Sequence, residues 1–258
     1  MKWNFKVIAL YALIVVLLGG IAFLYFAVIR KSQLAEISSA KRQAKSDYME
    51  GRFVDAAFLY KHLVDSLKID EEPVSINYAN AGFLSAGMDT VTFAKQAQSR
   101  HQEKTDSSKT GSTQQAVLNR AQQEYLKLTG AKSKVIGSIA NNQLGVYVLK
   151  TQGSTGESDQ TGKVIDSLIR QSLVLFKEAL KKDPSNDSAR YNYELLKLKL
   201  NFPEMVYTKA EQLVQRRRYG QAYKLMESAS KKDSRMKRYK DFTNKVQAIY
   251  KIDSLKNI

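Results

Sequence analysis

The 258-residue chain has no cysteine, three prolines and two histidines. Without thiols there are no disulfides, no thiolate metal sites and no sulfur nucleophile. Few prolines, and glycines numbering only 13, disfavour short strands joined by tight turns and leave helix as the expected element. His62 and His101 are isolated: neither has a second histidine three or four residues away, so the sequence offers no zincin-type pair. No G-x-S-x-G elbow occurs. The nearest approach to a phosphate loop, residues 156–163 (GESDQTGK), has one residue too many between its glycines and Val164 where a hydroxyl is needed. Carboxylates acting alone leave no sequence signature, but nothing positive points to catalysis, and the chain is expected to be neither an enzyme nor a cofactor or metal binder.

What is present is positive charge and apolar periodicity. Lysine and arginine number 41 against 25 acidic residues, a net charge of +16. Residues 209–258 hold 14 basic and 5 acidic residues, more than half of that surplus. Arg216, Arg217, Arg218, Lys231, Lys232, Arg235, Lys237 and Arg238 are expected to form a basic surface that suits anionic headgroups or an acidic partner. Tyr219, Ala222, Tyr223 and Met226 fall on one helical stripe and read as packing residues. Nucleic acid, which would need aromatics free to stack among the basic groups, is therefore not the expected partner.

Residues 7–29 carry no charge, and at about 1.5 Å per residue they span roughly 34 Å, enough to cross a bilayer core. A cleaved signal peptide shares the basic start and apolar run. This run, however, is longer than the usual h-region of about 7–15 residues, and no small-x-small pair follows directly. The expectation is an uncleaved single-pass anchor, residues 1–31, that engages the lipid bilayer of a bacterial cytoplasmic membrane. Basic residues flank both ends, so the side on which the rest of the chain lies stays open.

Beyond the anchor, apolar residues recur at three- and four-residue spacing and predict an all-α chain, with helices over 32–50, 53–67, 74–86, 90–99, 115–128, 134–150, 164–182, 187–200, 204–217, 219–230 and 235–251. Two polar stretches, 100–113 and 151–162, are read as loops. Ala44, Gly51, Phe53, Ala56, Tyr60 and Leu63 superpose on Ala210, Arg217, Tyr219, Ala222, Met226 and Ala229 at a constant offset of 166. A third copy has Leu144 and Gly145 in one helix and Phe176, Ala179 and Pro184 in the next; a partial fourth runs through Pro73, Tyr78, Ala81 and Gly82. An irregular helical bundle is the alternative reading. The spacing is that of a tetratricopeptide-like α–α superhelix, in which small residues let paired helices approach closely. The division expected is TPR-like repeats over 32–200 and a basic TPR-like helix pair with a capping helix over 201–258.

Residues 179–196 (ALKKDPSNDSARYNYELL) are similar to a stretch typical of the tetratricopeptide proteins of bacterial aerotolerance (Bat) operons. That resemblance implies a membrane-associated scaffold or assembly factor acting on other proteins, von Willebrand A-domain membrane proteins among them. The chain departs from the pattern in its long apolar start, its polar insertions and its further repeat after Leu200. Helical repeats form an extended groove that grips a peptide or subunit. In the repeat frame that groove is lined by Lys41, Lys45, Tyr48 and Met49, by Asn142, Val146 and Leu149, and by Tyr207, Glu211, Val214 and Gln215.

Overall fold

A computed structural model describes residues 5–87, 107–152 and 163–256. All regular elements among the described residues are helical, and no strand occurs among them. In chain order they are α1 (Phe5–Met49), α2 (Phe53–Lys61) with a π-helical turn (His62–Ser66), α3 (Glu72–Ala86), α4 (Ser107–Leu128), α5 (Lys134–Gln152), α6 (Lys163–Lys182), α7 (Asp187–Gln215), α8 (Tyr219–Lys232), a 3-10 turn (Ser234–Tyr239) and α9 (Lys240–Lys256). The chain divides into two compact units, Met1–Ala121 and Gln122–Ile258.

Three boundaries differ from expectation. The apolar segment and the helix predicted over 32–50 are one 45-residue helix, because Arg30 and Lys31 carry charge but nothing that breaks a helix. One stretch of α1 is apolar and long enough to span a membrane, and its described side chains from 13 to 28 are exposed. Part of the first polar stretch, from Ser107 on, is helical, as are Thr151 and Gln152 of the second. The helix predicted over 90–99, His101 and the remainder of both stretches lie outside the described residues. Finally, α7 runs unbroken through the buried Pro203, so the expected division between residues 200 and 201 falls inside a single helix.

In the first unit α1 turns back into α2 at Glu50, Gly51 and Arg52. Ala44, Ala56, Ala57, Tyr60, Leu63, Val74, Tyr78 and Ala81 form the core there. In the second unit α7 turns into α8 in the same way, around Val206, Ala210, Ala222, Met226, Ala229, Met236 and Val246. The offset of 166 holds bond for bond. Gly51 N–H donates to Tyr48 C=O (3.2 Å) and Arg52 N–H to Asp47 C=O (2.8 Å); Arg217 N–H donates to Val214 C=O (2.8 Å) and Arg218 N–H to Leu213 C=O (2.9 Å). This is the Schellman closure of a helix C-terminus, and it demands a left-handed residue at the turn. Gly51 (φ 76°) supplies one without strain, while Arg217 (φ 55°) bears the cost of a side chain in that region.

The third sequence copy shares the packing, while the connection between its helices, residues 153–162, lies outside the described residues. The Phe176 ring lies against Gly145, so close that a Cβ there would meet its Cε1 at 2.4 Å. Ala179, one turn on, is fully buried. Ser172 occupies the place of Ala56 and Ala222, four residues before the large side chain; it is fully buried and its hydroxyl has no hydrogen-bond partner.

These comparisons give four expected outcomes, each readable from thermal and denaturant melts of the detergent-solubilised chain followed by circular dichroism. Arg217→Gly raises stability by about 0.5–1 kcal/mol and Gly51→Ala lowers it by about 1 kcal/mol. Ser172→Ala raises it by about 1 kcal/mol by removing an unpaired buried hydroxyl. Gly145→Ala lowers it by about 1–3 kcal/mol through overpacking. Equal melts for wild type and Ser172→Ala would contradict the assignment of Ser172 to an alanine position.

Candidate functional site

The groove residues expected from the repeat frame divide between the two units. On α1, Lys41 is half-buried and both oxygens of Glu71 lie 2.8 Å from its Nζ. Tyr48 packs edge-on against Phe53 at 5.4 Å, and burial pushes its phenol above the ordinary value. Lys45 and Met49 are exposed. The α1 residues thus contribute one paired lysine and one core-facing tyrosine, with only Lys45 and Met49 turned fully to solvent. His62 opens the π-helical turn and its Nε2 sits 3.1 Å from Glu36. No cluster of three or more histidine or carboxylate side chains able to hold a metal occurs among the described residues.

In the second unit a concavity of about 480 Å³ opens between α5 and α7. Asn142 and Val146 line it from α5, as the repeat frame expects; Asp187, Ser188, Tyr191 and Asn192 line it from the first turns of α7. Asn186 caps α7 by accepting from Ala189 N–H at 3.0 Å, which fixes where that helix starts and aims Tyr191 and Asn192 at α5. Asn192 Nδ2 donates to Asn142 Oδ1 at 2.9 Å. That bond leaves the Asn142 amide donor and the Asn192 carbonyl to bind a peptide-like group, beside the apolar surfaces of Val146 and Tyr191. Leu149, also expected in the groove, packs instead with Val146 against Ile169, Phe176 and Leu196. The four α7 residues are absent from the expected groove because the repeat frame assigns no groove residue to the helix predicted over 187–200.

The distal groove residues have other neighbours. Tyr207 stacks on Tyr239 at 4.6 Å and meets Phe242 edge-on at 4.9 Å, so the chain's own 3-10 turn and α9 cover it. Val214 is half-buried against the Val206 cluster, whereas Glu211 and Gln215 are exposed. None of these four lines the α5–α7 concavity.

The expected basic surface requires one correction. Arg216, Arg217, Arg218, Lys231, Lys232, Lys237 and Arg238 are exposed, but Arg235 is fully buried. Arg217, Arg218 and Lys224 line a hollow of about 800 Å³ where α8 begins beside Tyr250 of α9. Arg235 faces inward because its guanidinium is consumed by partners. It donates to Asp233 (Nη2–Oδ2 2.6 Å), to Asp166 of α6 (2.9 Å) and to the Lys199 carbonyl of α7. Lys199 is four residues before Pro203, which has no N–H to give it, so the arginine satisfies the carbonyl that the proline leaves open. A second arginine, Arg238, donates to the other Asp166 oxygen at 2.6 Å.

Burial pushes Asp166 up, yet hydrogen bonds from Arg238 and Arg235 outweigh it and hold its carboxyl below the ordinary value. Asp233 follows the same pattern, with Arg235 overcoming the burial. A depressed folded pKa stabilises the fold above the ordinary carboxylate value of about 3.9 and is lost as pH falls through the lower folded value. Melting temperature should therefore drop as pH is lowered below about 4. Arg235→Ala should cost about 3 kcal/mol at neutral pH by leaving the half-buried Asp233 without its arginine, Asp166 with Arg238 alone and the Lys199 carbonyl open, and should flatten the acid limb of the curve. A variant melting like wild type at pH 7 would refute this account of Arg235.

The chain matches no family model, no curated protein and no solved structure.

Proposed function

We propose that this chain is a membrane-anchored adaptor of the tetratricopeptide type, which holds another protein at the α5–α7 concavity and catalyses no reaction. The observation that carries the reading is the pairing of a buried amide, Asn142, with Asn192 beside Val146 and Tyr191, in an open hollow of about 480 Å³. Such a surface hydrogen-bonds a main chain and holds one or two apolar side chains, which suits a peptide segment of a partner. The two hairpins built alike 166 residues apart support a repeat architecture, and the exposed apolar stretch of α1 supports a tether in a cytoplasmic membrane. The resemblance of residues 179–196 to Bat-operon tetratricopeptide proteins makes von Willebrand A-domain membrane proteins the first partners to seek.

A second reading is favoured by the exposed Arg216, Arg217 and Arg218 together with Lys224: an envelope-organising protein whose basic domain lies against anionic lipid. Salt separates the two, because headgroup binding fades as ionic strength rises and a desolvated peptide contact does not.

Crosslinking and capture of the full chain from native membranes, at low and high salt, tests the adaptor reading. Partners held by wild type at high salt should fall by about tenfold or more in Asn142→Asp combined with Tyr191→Ala. Arg216→Glu with Arg218→Glu should leave them in place. Capture that survives the first pair and vanishes with the second, or with salt, would discard the adaptor reading for the lipid one.

A further inference from the structure

The helix α7 carries large apolar side chains beyond its packed face. Its inner face is expected for a packed helix: Ala189, Leu196, Pro203, Val206 and Ala210 are buried. Beyond it Tyr191, Leu195, Leu198 and Met205 are 67%, 51%, 61% and 58% exposed, and Phe202 between them is partly buried. Their spacing is four, three, four, three. At about 100° per residue the centre of this row lies roughly 140° around the helix from Leu196 and about 60° from Val206, so the row is distinct from the packed face near Leu196 and borders it towards Val206. Four large apolar side chains facing solvent, with the partly buried Phe202 between the last two, match the three-and-four spacing of the a and d positions of a coiled coil.

We propose that this outward seam of α7 is a self-association surface, through which two copies of the chain pair their α7 helices in parallel and in register. The flanking charges select the partner. With Leu195 and Phe202 at a positions and Tyr191, Leu198 and Met205 at d, Glu194 occupies g and Lys199 the following e, both exposed. In a parallel pair g of one helix faces the next e of the other, so Glu194 meets Lys199 on each side of the seam. An antiparallel pair sets g against g and e against e. Glu194 would then face itself or Asn201, and Lys199 would face itself, Asn192 or Val206, with no opposite charge in either row. A copy of this same chain therefore supplies what the seam needs.

The row is short. Fifteen residues at about 1.5 Å each span roughly 22 Å, and such a seam buries less than the roughly 1,200 Å² of standard stable interfaces. Pairing is accordingly concentration-dependent and strongest where copies share one bilayer, as the anchoring of α1 proposed above would arrange. Tyr191 lies on both the seam and the α5–α7 concavity, whereas Leu195 and Leu198 do not line the concavity, so substitutions at these two leucines separate pairing from partner capture.

The lack of native cysteine makes the test direct. Single variants Leu195→Cys, Met205→Cys and, off the seam, Lys197→Cys are placed in the full chain, reconstituted in lipid vesicles and mildly oxidised. In a parallel in-register pair each seam position faces its own equivalent, so both Leu195→Cys and Met205→Cys should give disulfide-linked dimer, at about ten times the Lys197→Cys yield. Crosslinking at one end alone, or at neither above the control, overturns the proposal. A second measurement is sedimentation of the detergent-solubilised chain. Leu195→Glu with Leu198→Glu should keep helicity, since both sites are exposed, and weaken dimerisation about tenfold or more. Glu194→Lys should weaken it too, and adding Lys199→Glu should restore it. Dimers indifferent to all of these substitutions, or a wild-type chain that stays monomeric in shared vesicles while the seam binds lipid, would refute self-association whatever becomes of partner capture.

Discussion

The second unit depends on how one missing amide is replaced. Pro203 stands in the middle of a 29-residue helix and cannot give Lys199 its hydrogen bond, a defect that ordinarily kinks or ends a helix. Arg235 reaches in from the 3-10 turn, supplies a donor to that carbonyl, and is itself neutralised by Asp233 and Asp166. One side chain thereby joins α6, α7 and the segment that leads into α9. A buried cation with this many partners contributes less through net Coulomb energy than through the penalty for any arrangement that leaves it unpaired. It therefore fixes the geometry of the packing more than it deepens the stability.

With α7 continuous, one helix performs three tasks along its length. Its first turns complete the concavity with α5 through Tyr191 and Asn192. Its inner face carries the core through Leu196, Pro203 and Ala210. Its last turn closes on α8 through the left-handed Arg217. A chain broken at residues 200–204 would have placed the first and last of these on separate elements. The continuous helix instead puts the start of the concavity and the α8 hairpin on one rod.

The same hairpin occurs in both units with identical bonds at the turn, yet the two differ where chemistry permits. Asp47, buried against Arg52 and Gln43, stands where the later copy has the apolar Leu213. Gly51 stands where the later copy has Arg217. What the copies share is geometric, a small residue opposite a large one and a backbone closure. Close approach of two helices thus requires particular side-chain volumes but tolerates a change from ion pair to apolar contact.

Much of this was legible without coordinates, and for a local reason. Helix periodicity and the spacing that aligns the turn at Gly51 with the one at Arg217 are each carried by residues close together within one hairpin, and both recur in the fold. The site was legible only in part: Asn142 and Val146 line the concavity, whereas Leu149 turned to the core and Tyr207 went under Tyr239 and Phe242. The sequence could not show these because burial is decided by what another helix brings opposite. Arg235 illustrates the limit best. Asp233, two residues before it, is the one local partner of its guanidinium, and it is interior because α6 adds a carboxylate and α7 an unsatisfied carbonyl. The sequence by itself determined where helices form and that small and large residues alternate to bring them together. Only the tertiary structure decided which polar groups those helices enclose, since a long-range bond is specified by two distant segments jointly and by neither alone.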